Sequence, residues 1–463
     1  MALWRSTVIV SAMTMLSRVL GLVRDIVLLN VFGAGKDFDT FVVAFRIPNF
    51  FRRLFAEGAF SQAFIPVLTE YKTGRTHAEV QILISRVFGC LMTVMTALTF
   101  LAMVAAPAVL YIYAPGFHAD PEKFDLAVSM FRLTIPYLLF MSLTAFASSI
   151  LNSYGSFASP AFSPVLLNVA MIAGAWWLTP YMAEPIMALG WAVIAAGVLQ
   201  LAIQIPELWH KKLLIPPKVD FKHEGVDRIM KLMLPALFGV SVTQINLLLN
   251  TIWASFMQDG SVSWLYSAER MTELPLGLIG VAIGTVILPA LSTRHAEQDM
   301  SKFRGMMDWA AKVIVLVGVP ASIALFMLST PIIQALFQRG QFTLEDTQMT
   351  ALALQCMSAG VISFMLIKVF APGFYAQQDT KTPVRVGLMA VAANAILNVV
   401  FIGFFKLIDW QAEHMALALA SSGSALVNAG MLYFYLHKRD IFRFGAHWKK
   451  LFIQFGISNA VMI

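Results

Sequence analysis

The chain has 463 residues, 59% of them hydrophobic and only 13% charged, with a mean hydropathy of +0.74. Soluble domains carry about 25% charged residues, so a water-soluble globular fold is excluded. The apolar blocks run to about 20 residues, which fits membrane-spanning helices and not the short alternating segments of a transmembrane barrel.

In chain order, spans are predicted near residues 7–30, 38–68, 81–113, 127–151, 160–180, 186–206, 229–257, 262–292, 306–336, 347–376, 384–405 and 414–436. A thirteenth begins near residue 449 and stops partway through an apolar run, so the natural chain is expected to continue. The first span has no cleavage-site pattern and continues straight into the protein. It contains Arg18, Arg24 and Asp25, with Arg18 and Asp25 on one face. The second contains Arg46, Arg52, Arg53 and Glu57, and the spacing of Arg46, Asn49, Arg53 and Glu57 puts these four on one face. Pro48, Gly58 and Pro66 predict a bend or break in it, and Asp39 lies near its outer end. Cys90 and Cys356 fall inside apolar runs and read as small buried hydrophobes. Residues 207–228 are the one long polar connector and are strongly basic. The eighth span carries Glu269, Arg270 and Glu273. Arg132 and Lys368 are isolated mid-span charges, read as packing or snorkelling groups.

With the N-terminus in the cytoplasm, eighteen lysines and arginines fall on the cytoplasmic side of these spans. Only Lys36, Lys123, Arg339 and Lys406 fall on the other, a strong positive-inside bias. The net charge of +7 is therefore mostly topology and does not mark a nucleic-acid binder. The chain also reads as duplicated. Pro66 matches Pro289 and Pro160 matches Pro383, both at a spacing of 223 residues. This predicts a six-helix lobe over 1–206, a basic cytoplasmic linker over 207–228, a second six-helix lobe over 229–437, and a loop with the start of a thirteenth helix over 438–463. Parallel repeats around a central site are a transporter plan.

Each ionisable group buried in a membrane costs about 2.5–3.5 kcal/mol on insertion scales, so such groups face a cavity or each other. Arg53 with Glu57 and Arg270 with Glu273 are open to reading as internal salt bridges. Five arginines in the first two spans nonetheless exceed Asp25 and Glu57, even with Asp39 added. A surplus of desolvated guanidinium fits an outside polyanion, and its fork suits phosphate oxygens. No metal-binding acidic cluster, GxSxG, P-loop or HExxH is present, so neither catalysis nor a cofactor is expected. Asn246 with Asn250, and Asn394 with Asn398, are helically spaced pairs. They are candidates for a sodium site, although interhelical hydrogen bonds are the better reading.

The stretches SAMTMLSRVLGLVRDIVLLNVFGAGKDFDTFVVAFRIPNFFRRLFAEGAFSQAFIPVLTEY, GSVSWLYSAERMTELPLGLIGVAIGTVILPALS and APGFYAQQDTKTPV resemble the MurJ (MviN) family. These are bacterial lipid II flippases of the multidrug/oligosaccharidyl-lipid/polysaccharide (MOP) exporter superfamily. The resemblance implies an all-α integral membrane fold of about fourteen helices. Two six-helix lobes would enclose a central cationic cavity, and two further helices would line a groove for the lipid tail. It implies transport of undecaprenyl-diphosphate-linked disaccharide-pentapeptide to the periplasmic leaflet of the inner membrane for peptidoglycan synthesis, by alternating access and without enzymatic chemistry. Partners would be lipid II, the membrane and the cell-wall synthesis machinery.

Arg18, Arg24, Arg52, Arg53 and Arg270 match the family's cavity arginines, and Asp39 and Glu57 its acids. Asp25, Arg46, Glu269 and Glu273 would complete the gating ion pairs, with Asn49 and Ser263 lining the cavity. Glu269 stands where relatives can have aspartate, and Arg46 where lysine occurs. A flippase for another polyprenyl-diphosphate oligosaccharide shares this cationic cavity. A drug or cation antiporter of the superfamily expects an acidic one, and a non-transporting scaffold expects the arginines to be dispensable.

Overall fold

The computed structural model describes residues 2–56, 59–445, 448 and 454, with the side chains of 2–9, 53–56, 59, 234–244, 278, 279, 281, 282 and 285 outside that description. All regular structure among the described residues is helical. The helices are α1 (Ala2–Phe32), α2 (Lys36–Ala56), α3 (Ala59–Gly74), α4 (His77–Val104), α5 (Ala106–Tyr113), α6 (Pro121–Thr134), α7 (Tyr137–Ser153), α8 (Ala158–Ala173) and α9 (Met187–Ala202). They continue as α10 (Ile205–His210), α11 (Glu224–Ala254), α12 (Ser261–Pro275), α13 (Val281–Ala296), α14 (Met300–Met327), α15 (Ser329–Phe337), α16 (Leu344–Tyr375), α17 (Lys381–Leu407) and α18 (His414–Lys438).

Several predicted spans are broken helices, and the sequence accounts for the breaks. Pro107, lacking a donor N–H, opens α5 after the turn at Ala105, and Pro136 separates α6 from α7. Of the residues expected to bend or break the second span, Pro48 lies inside α2 and Pro66 inside α3, and Gly58 lies outside the described residues. Among the described residues, eight stretches are long and apolar enough to cross a membrane. The other predicted spans correspond to α1, α2 with α3, α11, and α12 with α13, which carry the intramembrane charges or contain undescribed side chains.

The 223-residue spacing recurs in the helix ends. Thr76 caps α4 through its side chain and Asp299 caps α14 in the same way. Asp120 caps α6 and Thr343 caps α16. Gly155 and Gln378 both take positive φ, +75° and +60°, in the turns before α8 and α17. Each of these pairs is separated by the same 223 residues as the proline pairs. Pro66 and Pro289 both lie inside their helices, α3 and α13. At these helix starts a short polar side chain or a left-handed residue recurs where the backbone enters the helix.

The chain divides into two compact units. One comprises residues 1–244 with 258–260 and 339–342, and the other 245–257, 261–338 and 343–463, so the division cuts α11 at Gln244–Ile245. In the first unit the basic connector is folded and not free. Residues 213–220 run extended along α4, with the Lys218 N–H donating to the Ser85 carbonyl at 3.1 Å and Ser85 Oγ to the Pro216 carbonyl at 2.7 Å. A side chain at Gly89 would meet the Lys218 carbonyl, so glycine permits this approach. In the second unit Phe303, Met307, Met365, Phe370, Phe374, Leu432 and Trp448 form an apolar core. A Cβ at Gly360 of α16 would stand 2.7 Å from Ser422 Oγ of α18, and Ser422 donates to the Cys356 carbonyl at 2.8 Å. Small residues and hydroxyls at such crossings draw membrane helices together where lipid provides no hydrophobic drive. Cys90 and Cys356 are buried free thiols.

Candidate functional site

Arg24 and Asp25 on α1 are buried charges of the first unit, 8% and 3% exposed. Arg24 Nε and Nη2 both donate to Asp25 Oδ1, at 3.0 and 2.7 Å. Its Nη1 donates to Asn168 Oδ1 on α8 at 2.9 Å, and Asn168 Nδ2 returns a bond to the Ser17 carbonyl at 3.0 Å. A guanidinium held on three of its nitrogens is fixed in position and orientation. The expected sharing of a face by Arg18 and Asp25 does not lead to a pair. Asp25 takes its neighbour instead, because the long Arg24 side chain folds back along the helix, while Arg18 is exposed. No hydrogen bond or ion pair engages Arg18 among the described residues.

On α2, Arg52 Nε donates to Asn49 Oδ1 at 2.9 Å, one turn away. Arg46 is half-buried. The Arg53 side chain and Glu57 lie outside the described residues, so their expected pairing does too. In the second unit Arg270 Nη1 meets Glu273 Oε2 at 2.8 Å on α12, and its Nη2 meets the Tyr266 hydroxyl at 3.2 Å. The guanidinium also lies over the Tyr266 ring, 4.8 Å from its centre, a cation–π placement that keeps it half-buried. Glu269 is half-buried. Ser263, expected to line a cavity, is instead wholly buried, because α12 packs that face inward.

Asp39 departs from its expected place among the arginines' counter-ions. It is 1% exposed and accepts from Lys123 Nζ at 3.3 Å and from the Gly260 backbone N–H at 2.9 Å. Lys123, counted as a solvated loop residue, is itself 4% exposed in the first turn of α6, with Asp259 Oδ1 at 2.5 Å and the Phe117 ring at 4.2 Å. The three charges and Gly260 belong to the first unit. One lysine between two carboxylates is nearly compensated, and the Gly260 N–H takes up a further lone pair of Asp39. The sequence offers no signal for this burial except that Lys123 lies three residues after the capping Asp120 and so has a fixed direction. Asn168 was missed for a similar reason, as a lone polar residue on an apolar helix.

Arg132 Nε donates to the Met103 carbonyl near the last turn of α4 at 3.2 Å, where positive charge is favoured. The Lys368 stem packs 3.8 Å from the Cβ position of Gly280. The four asparagines singled out as sodium candidates, Asn246, Asn250, Asn394 and Asn398, all belong to the second unit. Asn398 Nδ2 donates to Asn250 Oδ1 at 3.2 Å and to Asn394 Oδ1 at 3.1 Å. No group of three or more histidines, cysteines or acids suited to a metal occurs among the described residues.

The family model for the lipid II flippase MurJ matches residues 28–463. A probable lipid II flippase MurJ of Vibrio cholerae is 44% identical, over 99% of this chain and 88% of its own length. The lipid II flippase MurJ of Burkholderia cenocepacia is 41% identical, over 98% of this chain and 87% of its own. A solved lipid II flippase MurJ in an inward closed conformation superposes with a TM-score of 0.80 at 28% identity, over 94% of this chain and 88% of that one. An inward-facing multidrug resistance MATE family transporter of the MOP superfamily gives 0.74 at 12% identity, over 93% and 97%, a likeness of fold alone. The fold is therefore that of the MOP transporters, and the chain is a multi-pass membrane protein. Near-complete coverage by the family model and these identities make it a member of the lipid II flippase MurJ family.

Proposed function

We propose that the protein is a lipid II flippase of the bacterial inner membrane, with its N-terminus in the cytoplasm. It carries undecaprenyl-diphosphate-linked disaccharide-pentapeptide from the cytoplasmic to the periplasmic leaflet by alternating access and makes or breaks no covalent bond. The observation that carries this reading is the similarity to MurJ flippases along nearly the whole chain.

The chemistry of the arginines supports it. Arg24 already holds an anionic oxygen with two nitrogens, and a diphosphate oxygen asks for the same grip. Asp25 then acts as a stand-in that keeps the guanidinium aimed until substrate displaces it. Arg18 and Arg52 of the first unit, and Arg270 with its displaceable partner Glu273, supply the remaining positive charge. Arg53 with Glu57, and Glu269 with Arg270, are the ion pairs proposed to reorganise as access switches. A negative-inside potential favours outward passage of the anion and return of the unloaded cationic site, at about 2.3 kcal/mol per charge per 100 mV.

The test is complementation. Arg24→Ala or Arg270→Ala as the sole copy is expected to abolish wall synthesis with the protein still inserted in the membrane. Normal growth on either variant contradicts the diphosphate grip.

A further inference from the structure

Two partners of different kinds hold Arg270. The Glu273 carboxylate accepts from Nη1 at 2.8 Å, and the Glu273 side chain is 47% exposed. Tyr266, one turn earlier on α12, accepts from Nη2 on its hydroxyl at 3.2 Å and carries the guanidinium carbon 4.8 Å from the centre of its ring. These grips differ in what they do to the charge. A carboxylate neutralises it and competes with any incoming anion for the same N–H groups. A phenol oxygen and a ring face attract the cation and leave its charge in place.

The tyrosine is also the better fixed of the two. Trp264, Leu265, Ser267, Ala268 and Met271 are all buried, so the turn that carries Tyr266 is packed within the second unit. A neutral acceptor serves an arginine of the first unit in the same way, where Arg52 Nε donates to Asn49 Oδ1 at 2.9 Å. We propose that Tyr266 is the positioning residue for Arg270, keeping the guanidinium oriented while a diphosphate oxygen replaces the Glu273 carboxylate. The inference rests on the diphosphate grip of Arg270 proposed above and adds the side chain on which that grip depends. Without the tyrosine, substrate binding must itself order a long and mobile arginine side chain, and affinity falls.

The experiment titrates lipid II into the purified full chain in detergent and compares dissociation constants in a double-mutant cycle. Tyr266→Leu removes both ring and hydroxyl and is expected to weaken binding about 10-fold. Tyr266→Phe keeps the ring and is expected to lose no more than about 3-fold. On an Arg270→Ala background Tyr266→Leu is expected to add no further loss, because no guanidinium remains to be aimed. A tyrosine that only packs α12 would cause the same loss on both backgrounds. Wild-type binding by Tyr266→Leu beside weakened binding by Arg270→Ala overturns the positioning role and leaves the diphosphate grip standing. So does a Tyr266→Leu loss that persists in full on the Arg270→Ala background. Wild-type binding by Arg270→Ala overturns both. If Tyr266→Leu does not fold, Tyr266→Met takes its place in the same cycle.

Discussion

Replacing Lys123 by methionine keeps most of the side chain's volume and deletes its charge. It leaves Asp39 ionised with 1% of its surface exposed. Removing one partner of a buried pair costs about 3–5 kcal/mol. The lower end applies here, because Asp39 keeps the Gly260 N–H at 2.9 Å. The Asp259 side chain is 55% exposed and resolvates, so its lost contact adds about 0–1 kcal/mol at most. For a cooperative unit of roughly 150–250 residues, 3 kcal/mol lowers the melting temperature by about 6–12 °C. The assay is thermal unfolding in detergent of Lys123→Met, Asp39→Asn and the double variant. The double variant leaves no buried unpaired charge, since Asp259 is exposed, and is expected to recover more than half the loss. A Lys123→Met shift within about 2 °C of wild type, or additive losses in the double variant, refutes the buried triad.

Further outcomes follow from the same geometry. Asp379 is pushed up by burial but pulled down further, to about 2, by the two Thr382 bonds and Arg439. Its stabilisation is thus complete above the ordinary value near 3.9 and disappears as pH falls toward 2. The melting gap between wild type and Asp379→Asn should therefore narrow from pH 5 to pH 2.5, and a gap independent of pH contradicts the assignment. Gly89→Val is expected to lift residues 213–220 off α4 at a cost of about 1–3 kcal/mol, seen as faster proteolysis within the strap at unchanged cutting elsewhere. Thr76→Ala and Asp299→Ala remove equivalent caps and are each expected to cost about 1 kcal/mol in thermal unfolding.

Eight of the spans were legible because hydropathy is set by the bilayer and not by details of packing. The breaks at Pro107 and Pro136 were not, since a helix interrupted for one or two residues still reads as one apolar run. Two proline pairs were enough to suggest a duplication, and the capping residues and left-handed turns that repeat with them are the physical part of that signal. Side-chain partners were the least legible. Face geometry put Arg18 and Asp25 on one side of the helix, but the long arginine side chain lets Arg24 reach its own neighbour. Lys123 looked like a solvated residue near a helix start, and only the fold reveals two carboxylates converging on it. Asn168 shows the same limit, as its value lies in a contact 144 positions away.

The central claim is transport of a diphosphate-linked lipid by a chain whose arginines hold the diphosphate. The direct measurement depletes the protein in growing cells, supplies either wild type or Arg24→Ala, and follows lipid-linked peptidoglycan precursor with a probe confined to the outer leaflet. The account predicts that precursor accumulates on the inner leaflet on depletion, that wild type restores its delivery and that Arg24→Ala does not. Outer-leaflet delivery that continues unchanged without the protein contradicts it.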